Sequence, residues 1–231
     1  MCALRSSVLI AATALLTGLS IHTQADWYAS FSTEYQPEAQ SGHYAYKPLL
    51  QYTEGNFGTY LEYVYVPRNG LDNGKNLTWQ VEYKWKLSES SSLKLVHEFD
   101  RTIDTNTESA ELTPKFYTSF DNGLKAGFEL EIDYYLDGDF EIREIEIEPT
   151  IKWSQSLGEG KLNLELEAPT MRLYSNDDSI KDFEFEEVLP IIGYDHPLSK
   201  NLTLHTLLEL PYDLQEDDFD TIITIGLGVT F

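Results

Sequence analysis

The chain is almost without thiols: its single cysteine, Cys2, stands inside what reads as an export signal. Disulfides, thiolate metal sites and cysteine nucleophiles are therefore excluded from the remainder. Long apolar runs are also missing. The longest, Val8 to Leu19, falls short of the roughly 18 uninterrupted apolar residues of a membrane helix, so any crossing of a membrane must be made by strands. Arg5 before that run and Thr23-Gln24-Ala25 after it complete the signal pattern. Cleavage is expected after Ala25, leaving 26–231 as one domain with no linker composition to divide it. Bases are scarce as well. The chain carries 16 Lys+Arg against 39 Asp+Glu, and removing the signal with Arg5 leaves 15 against 39, a net −24. Such a surface repels phosphate, so nucleic acid is not an expected partner. No phosphate-cradling glycine loop and no zinc-type His/Glu spacing occurs, and no cofactor or metal is expected.

What is present is alternation. The chain ends on Thr221-Ile-Ile-Thr-Ile-Gly-Leu-Gly-Val-Thr-Phe231, where Ile223, Ile225, Leu227, Val229 and Phe231 share one apolar face. Eleven similar segments precede it, giving spans at about 27–36, 43–53, 58–67, 77–88, 92–102, 109–120, 124–136, 140–154, 161–174, 183–197, 201–213 and 221–231. Compact turns such as Glu54 to Phe57 and Asp121-Asn122-Gly123 alternate with longer polar loops such as Arg68 to Asn76 and Ser175 to Asp182. The Asp137-Gly138-Asp139 connection is shorter than this rhythm demands. Aromatics gather at segment ends: Trp27, Tyr35, Tyr44, Tyr52, Trp85, Phe120, Trp153 and Tyr174 among them. These are the marks of an all-β, twelve-stranded antiparallel transmembrane β-barrel of up-and-down topology, in the outer membrane of a Gram-negative bacterium. A mean hydropathy of −0.33 is compatible, because each strand has one lipid face and one polar face. The competing arrangement is a soluble barrel or sandwich with the apolar face inside. A barrel this wide would not fill its interior with aliphatic side chains.

With the apolar face outward, the charged positions line a lumen. Lys47, Lys84, Lys86, Lys94, Lys115, Lys125 and Lys152, together with Arg101, Arg143 and Arg172, are the expected contacts to acidic groups of a solute. Glu129, Glu131, Glu144 and Glu146 belong to an acidic wall expected to oppose them across the pore. Parity changes between Ile142 and Ile145, which predicts a bulge near Arg143. His205 is expected in the lumen and His97 toward lipid.

Several strings carry a family likeness: Tyr83-Lys84-Trp85-Lys86-Leu87, Phe99-Asp100-Arg101, Pro114-Lys115-Phe116-Tyr117 with Asp121-Asn122, Pro197-Leu198-Ser199-Lys200-Asn201-Leu202, and the ending Gly226 to Phe231. In these the sequence resembles the oligogalacturonate-specific monomeric porin family of KdgM-like outer-membrane channels. The resemblance implies a narrow monomeric channel passing oligosaccharides, especially acidic ones. The family's arginine-rich tracks are not matched, since only Arg68, Arg101, Arg143 and Arg172 follow the signal. Function is accordingly expected to be passive diffusion of small hydrophilic solutes, most of all oligosaccharides. The alternatives are a non-conducting structural or adhesion barrel and an outer-membrane lipid hydrolase. For the hydrolase the His-x-Ser pattern of the outer-membrane phospholipase is missing at His43, His97, His196 and His205. Lipid and lipopolysaccharide are the expected partners, the latter through acidic loops at Asp177-Asp178 with Asp182 and Glu216-Asp217-Asp218 with Asp220.

Overall fold

The computed structural model describes residues 25–36, 43–67, 74–136, 141–167, 169–176, 183–215 and 217–231. The expected signal up to Gln24, the Asp137-Gly138-Asp139 turn, Arg68, Asp177, Asp178, Asp182 and Glu216 lie outside the described residues. Eight continuous strands come first: β1 (Ala25–Gln36), β2 (His43–Glu54), β3 (Phe57–Val66), β4 (Gly74–Lys86), β5 (Ser91–Thr102), β6 (Thr107–Ser119), β7 (Leu124–Tyr135) and β8 (Glu141–Leu157). Each pairs antiparallel with the next. The last four spans are each interrupted. They comprise β9 (Gly160–Glu167) with β10 (Met171–Ser175), β11 (Glu184–Phe185) with β12 (Glu187–Pro197), β13 (Leu202–Glu209) with β14 (Tyr212–Asp213), and β15 (Asp218–Phe219) with β16 (Ile222–Thr230).

Closure is made by β16 against β1, registered from Tyr28 with Thr230 to Tyr35 with Ile223. The carboxyl-terminal end is held from both sides: Phe231 N donates to Trp27 O at 2.9 Å and Thr230 N to Asn201 O at 3.0 Å. Twelve spans in hairpin order thus form a closed barrel with no free edge. Two of the interruptions contain prolines, Pro169 and Pro211, which have no N–H to give a ladder. Neighbouring amides bridge the gaps, Thr170 N to Glu187 O at 2.9 Å and Leu210 N to Pro190 O at 3.0 Å.

Closure decides which face is which, because alternate residues of a barrel strand point in and out. Phe31, Leu50, Leu61, Trp79, Phe128, Ile151, Leu164, Ile192, Ile225 and Leu227 are exposed on the outside. The inner parity carries Ser30, Ser32, Gln80, Glu98, Glu131 and Asn163 instead. Among the described residues the buried apolar side chains are only Ala45, Val96 and Ala110. An interior with so few buried apolar groups is no hydrophobic core, so the inside-apolar arrangement is ruled out and the outward face requires lipid. Aromatic pairs band both ends of that face: Trp27 with Tyr52 (centroids 4.9 Å) near the short turns, Tyr35 with Tyr44 (4.8 Å) near the long loops. The predicted bulge is present. The β7–β8 register shifts between Asp133–Glu144 and Tyr134–Ile142, leaving Arg143 as the extra residue.

Candidate functional site

The inner wall divides into two unlike arcs. Strands β4 to β10 form a charged one, and its ordering is axial. Counted from the short turns, Lys86 and Lys84 precede Glu82 on β4, Lys94 precedes Glu98 and Asp100 on β5, and Lys115 precedes Glu111 on β6. Lys125 precedes Glu129, Glu131 and Asp133 on β7; Lys152 precedes Glu148, Glu146 and Glu144 on β8; Lys161 precedes Glu165 and Glu167 on β9. Lysines thus belt the short-turn half and carboxylates the long-loop half. This corrects the expected opposition of a basic and an acidic wall. The lysine-bearing and glutamate-bearing strands are neighbours in one sheet order, and most of these strands carry both signs.

At the boundary the two zones interlock. Lys84, Lys94 and Lys115 are registered side by side, and the same row continues to Glu129 and Glu148. Glu129, 4 % exposed, meets the Lys115 ammonium, accepts from the Tyr117 hydroxyl, and lies 3.7 Å from Lys152, which also pairs with Glu165. Lys152 rests over the Tyr117 ring, 5.1 Å from its centroid. Lys94 pairs with Glu82 at 3.0 Å and Lys47 with Glu34 on the adjacent strand. Nearer the long loops, Arg172 is clasped by Glu144, Glu146 and Glu186. The bulge lets Arg143 reach Asp133 at 3.8 Å and the Tyr135 ring. Lys84, Lys86 and Lys125 reach no carboxylate among the described residues, and neither does Glu131 reach a cation. Oxygens of Glu131, Glu146 and Glu148 lie within 4.8 Å of one another. Oxygens of Glu111, Glu131 and Asp133 are grouped as closely, and Glu146 of the first set is already engaged by Arg172.

One expected lumenal cation is elsewhere. Arg101 has the parity of Phe99 and is registered with Leu77 and Glu108, all outward residues. At the rim its guanidinium donates to Asn106 Oδ1 at 2.7 Å and approaches Glu108 at 3.7 Å. It therefore belongs to the outer rim, not the lumen.

The second arc, β12, β13, β16, β1 and β2, is nearly free of cations and is thinned by Gly193, Gly226 and Gly228. A Cβ on Gly228 would collide with the Tyr28 ring, which lies against it. From this arc a hydrogen-bonded chain runs into β9 and β8: Tyr28 Oη to His205 Nε2 (2.9 Å), His205 Nδ1 to Asp195 Oδ1 (2.7 Å), Asn163 Nδ2 to Asp195 Oδ2 (2.9 Å), and Ser154 Oγ to Asn163 Oδ1 (2.8 Å). Of these residues the sequence pattern singled out only His205. The alternating glycines at 226 and 228 were the available signal. On the outer face His97 meets the Tyr134 hydroxyl and packs on Phe99 at 4.2 Å between centroids.

No protein-family model matches the sequence, and no curated protein matches it either. Solved structures do. The NanC porin superposes with a TM-score of 0.61 at 11% identity, covering 87% of this chain and 98% of that one. The KdgM porin, also solved in complex with disordered oligogalacturonate, gives 0.60 at 10% identity over 88% and 99%. The translocator domain of the autotransporter NalP from Neisseria meningitidis gives 0.60 at 11% over 99% and 95%. Identities this low speak to fold. Together with the outward apolar face and the few buried apolar groups among the described residues, they make the chain a twelve-stranded barrel of the outer-membrane kind, similar in fold to two porins and to an autotransporter translocator.

Proposed function

We propose that the barrel is an open, monomeric, non-enzymatic porin through which small hydrophilic solutes diffuse passively, oligosaccharides foremost. The observation that carries this reading is the inner face. Most of its polar and charged side chains among the described residues stay partly accessible, as a water-filled lumen requires and as the packed apolar interior of a soluble barrel would not allow. By the rule for outer-membrane barrels the short turns are periplasmic. A solute entering from outside then meets carboxylates first and lysines last. Weak multi-site contact with such a wall lets a hydrated solute enter and leave without a covalent step. KdgM has been solved with an anionic oligosaccharide. The wall of the present chain favours neutral or cationic solutes, because inner carboxylates outnumber inner cations and Arg172 is already clasped by three of them. Support for a non-enzymatic role is that His97 meets a phenol on the lipid side, not a serine.

Planar-bilayer recording under a salt gradient tests the proposal. The expected result is discrete open-channel steps with a reversal potential on the cation-preferring side. A silent membrane would instead favour a structural barrel, and clear anion preference would defeat the assignment of charge selectivity to the acidic half.

A further inference from the structure

A recess of about 310 Å³ opens to the lumen where the second arc meets β9. Its floor is backbone, because Gly193 and Gly226 have no side chains to fill it. Along one side stand Tyr28, His205, Asp195 and Asn163 in the hydrogen-bonded chain described above. Each link fixes the next: with Asp195 accepting from His205 Nδ1–H, a neutral imidazole offers Nε2 as acceptor to the Tyr28 hydroxyl. On the other side lie the aliphatic faces of Ile191 and Leu207, which are inward-facing on adjacent strands. The recess thus sets an apolar platform beside preoriented donors and acceptors. That is the surface of a sugar ring in negative, C–H bonds on its faces and hydroxyls around its edge.

Charge narrows the occupant further. No lysine or arginine lines the recess, so an anionic ring finds no counter-charge there. Its two carboxylates are already engaged, Glu165 by Lys152 and Asp195 by His205 and Asn163, so an ammonium group gains little. At the low end of the range for small-ligand sites, roughly 300 to 1,000 Å³, the volume suits one ring and not a chain. We propose that this recess is a subsite for a single neutral sugar ring within the conducting path. The proposal rests on the porin reading for its biological sense, though not for its chemistry.

The test uses the full barrel, with maltose as the neutral probe and digalacturonate as the anionic one at matched concentrations. Maltose is expected to occlude bilayer current saturably and digalacturonate to do so more weakly. Ser30→Phe, which fills the recess from β1, should weaken maltose occlusion at least about fivefold, the equivalent of one net hydrogen bond. Asp195→Asn, which breaks the chain with little change of shape, should act in the same direction. It carries the test if Ser30→Phe does not give the folded, heat-modifiable band on electrophoresis. Equal occlusion in the variants, or stronger occlusion by digalacturonate or glucosamine than by maltose, overturns the subsite. Saturation-transfer NMR of maltose with the barrel in a sugar-free amine-oxide detergent separates the two readings. Saturation transfer that the variants lose, on a barrel that does not conduct, would sink the porin and keep the recess. A conducting barrel with no transfer would do the reverse.

Discussion

Two ammonium groups depend on the single carboxylate of Glu129, which has almost no access to water of its own. Replacing it removes the carboxylate that Lys115 and Lys152 share, while Lys152 keeps Glu165. Glu129→Gln is expected to lower unfolding stability in detergent by about 2 kcal/mol, less than a fully buried pair because the lysines are partly hydrated. Denaturant titration followed by tryptophan fluorescence measures it; a loss under about 0.5 kcal/mol, the scale of an ordinary surface change, would mean that lumen water already screens these charges. Arg172 makes the opposite case. Arg172→Ala strips the counter-charge from Glu144, Glu146 and Glu186. The reversal potential should then move further toward cations, whereas an unchanged potential would place that cluster off the conduction path. The pairing of these residues was legible in sequence only as residue type. Arg101 shows why: parity near a strand end places it with Phe99, and a long side chain there serves the rim loop instead of the pore.

At the scale of the strand, alternation made nearly everything visible. The first eight spans, the hairpin order and the bulge at Arg143 follow from period-two patterning with turn residues between, since a one-residue slip would put carboxylates into lipid. The same physics supplies a paired prediction on β4. Val81→Arg, on the lipid face, should cost about 2–4 kcal/mol near the bilayer midplane, while Gln80→Arg, one residue away on the lumen face, should cost less than about 1 kcal/mol. Unfolding in lipid vesicles compares them, and similar losses would contradict the assignment of faces. Two things were not legible. A proline interrupts a ladder only where its neighbour needs the missing N–H, which depends on pairing, so the gaps at Pro169 and Pro211 are invisible in a face pattern. The Tyr28–His205–Asp195–Asn163–Ser154 chain draws one residue from each of five strands, with Tyr28 and His205 177 positions apart. Only register brings them together.

For the whole molecule, carboxylates toward one mouth and lysines toward the other amount to a fixed dipole along the pore axis. Current carried at equal voltages of opposite sign should therefore differ once the barrel's insertion direction is fixed by one-sided addition. The combined substitution of Lys84, Lys94 and Lys125 by Gln should change that asymmetry. Symmetric current in the unaltered protein would show that water and mobile ions flatten the field. The row Lys84, Lys94, Lys115, Glu129, Glu148 adds a geometric consequence. Strands in such barrels tilt by roughly 35–45°, so a row perpendicular to them climbs as it passes around the wall. The seam between the basic and acidic zones is for that reason a ramp and not a ring. It gives the pore a handedness, so that a flexible chain keeping contact with the seam must rotate in one sense as it travels inward.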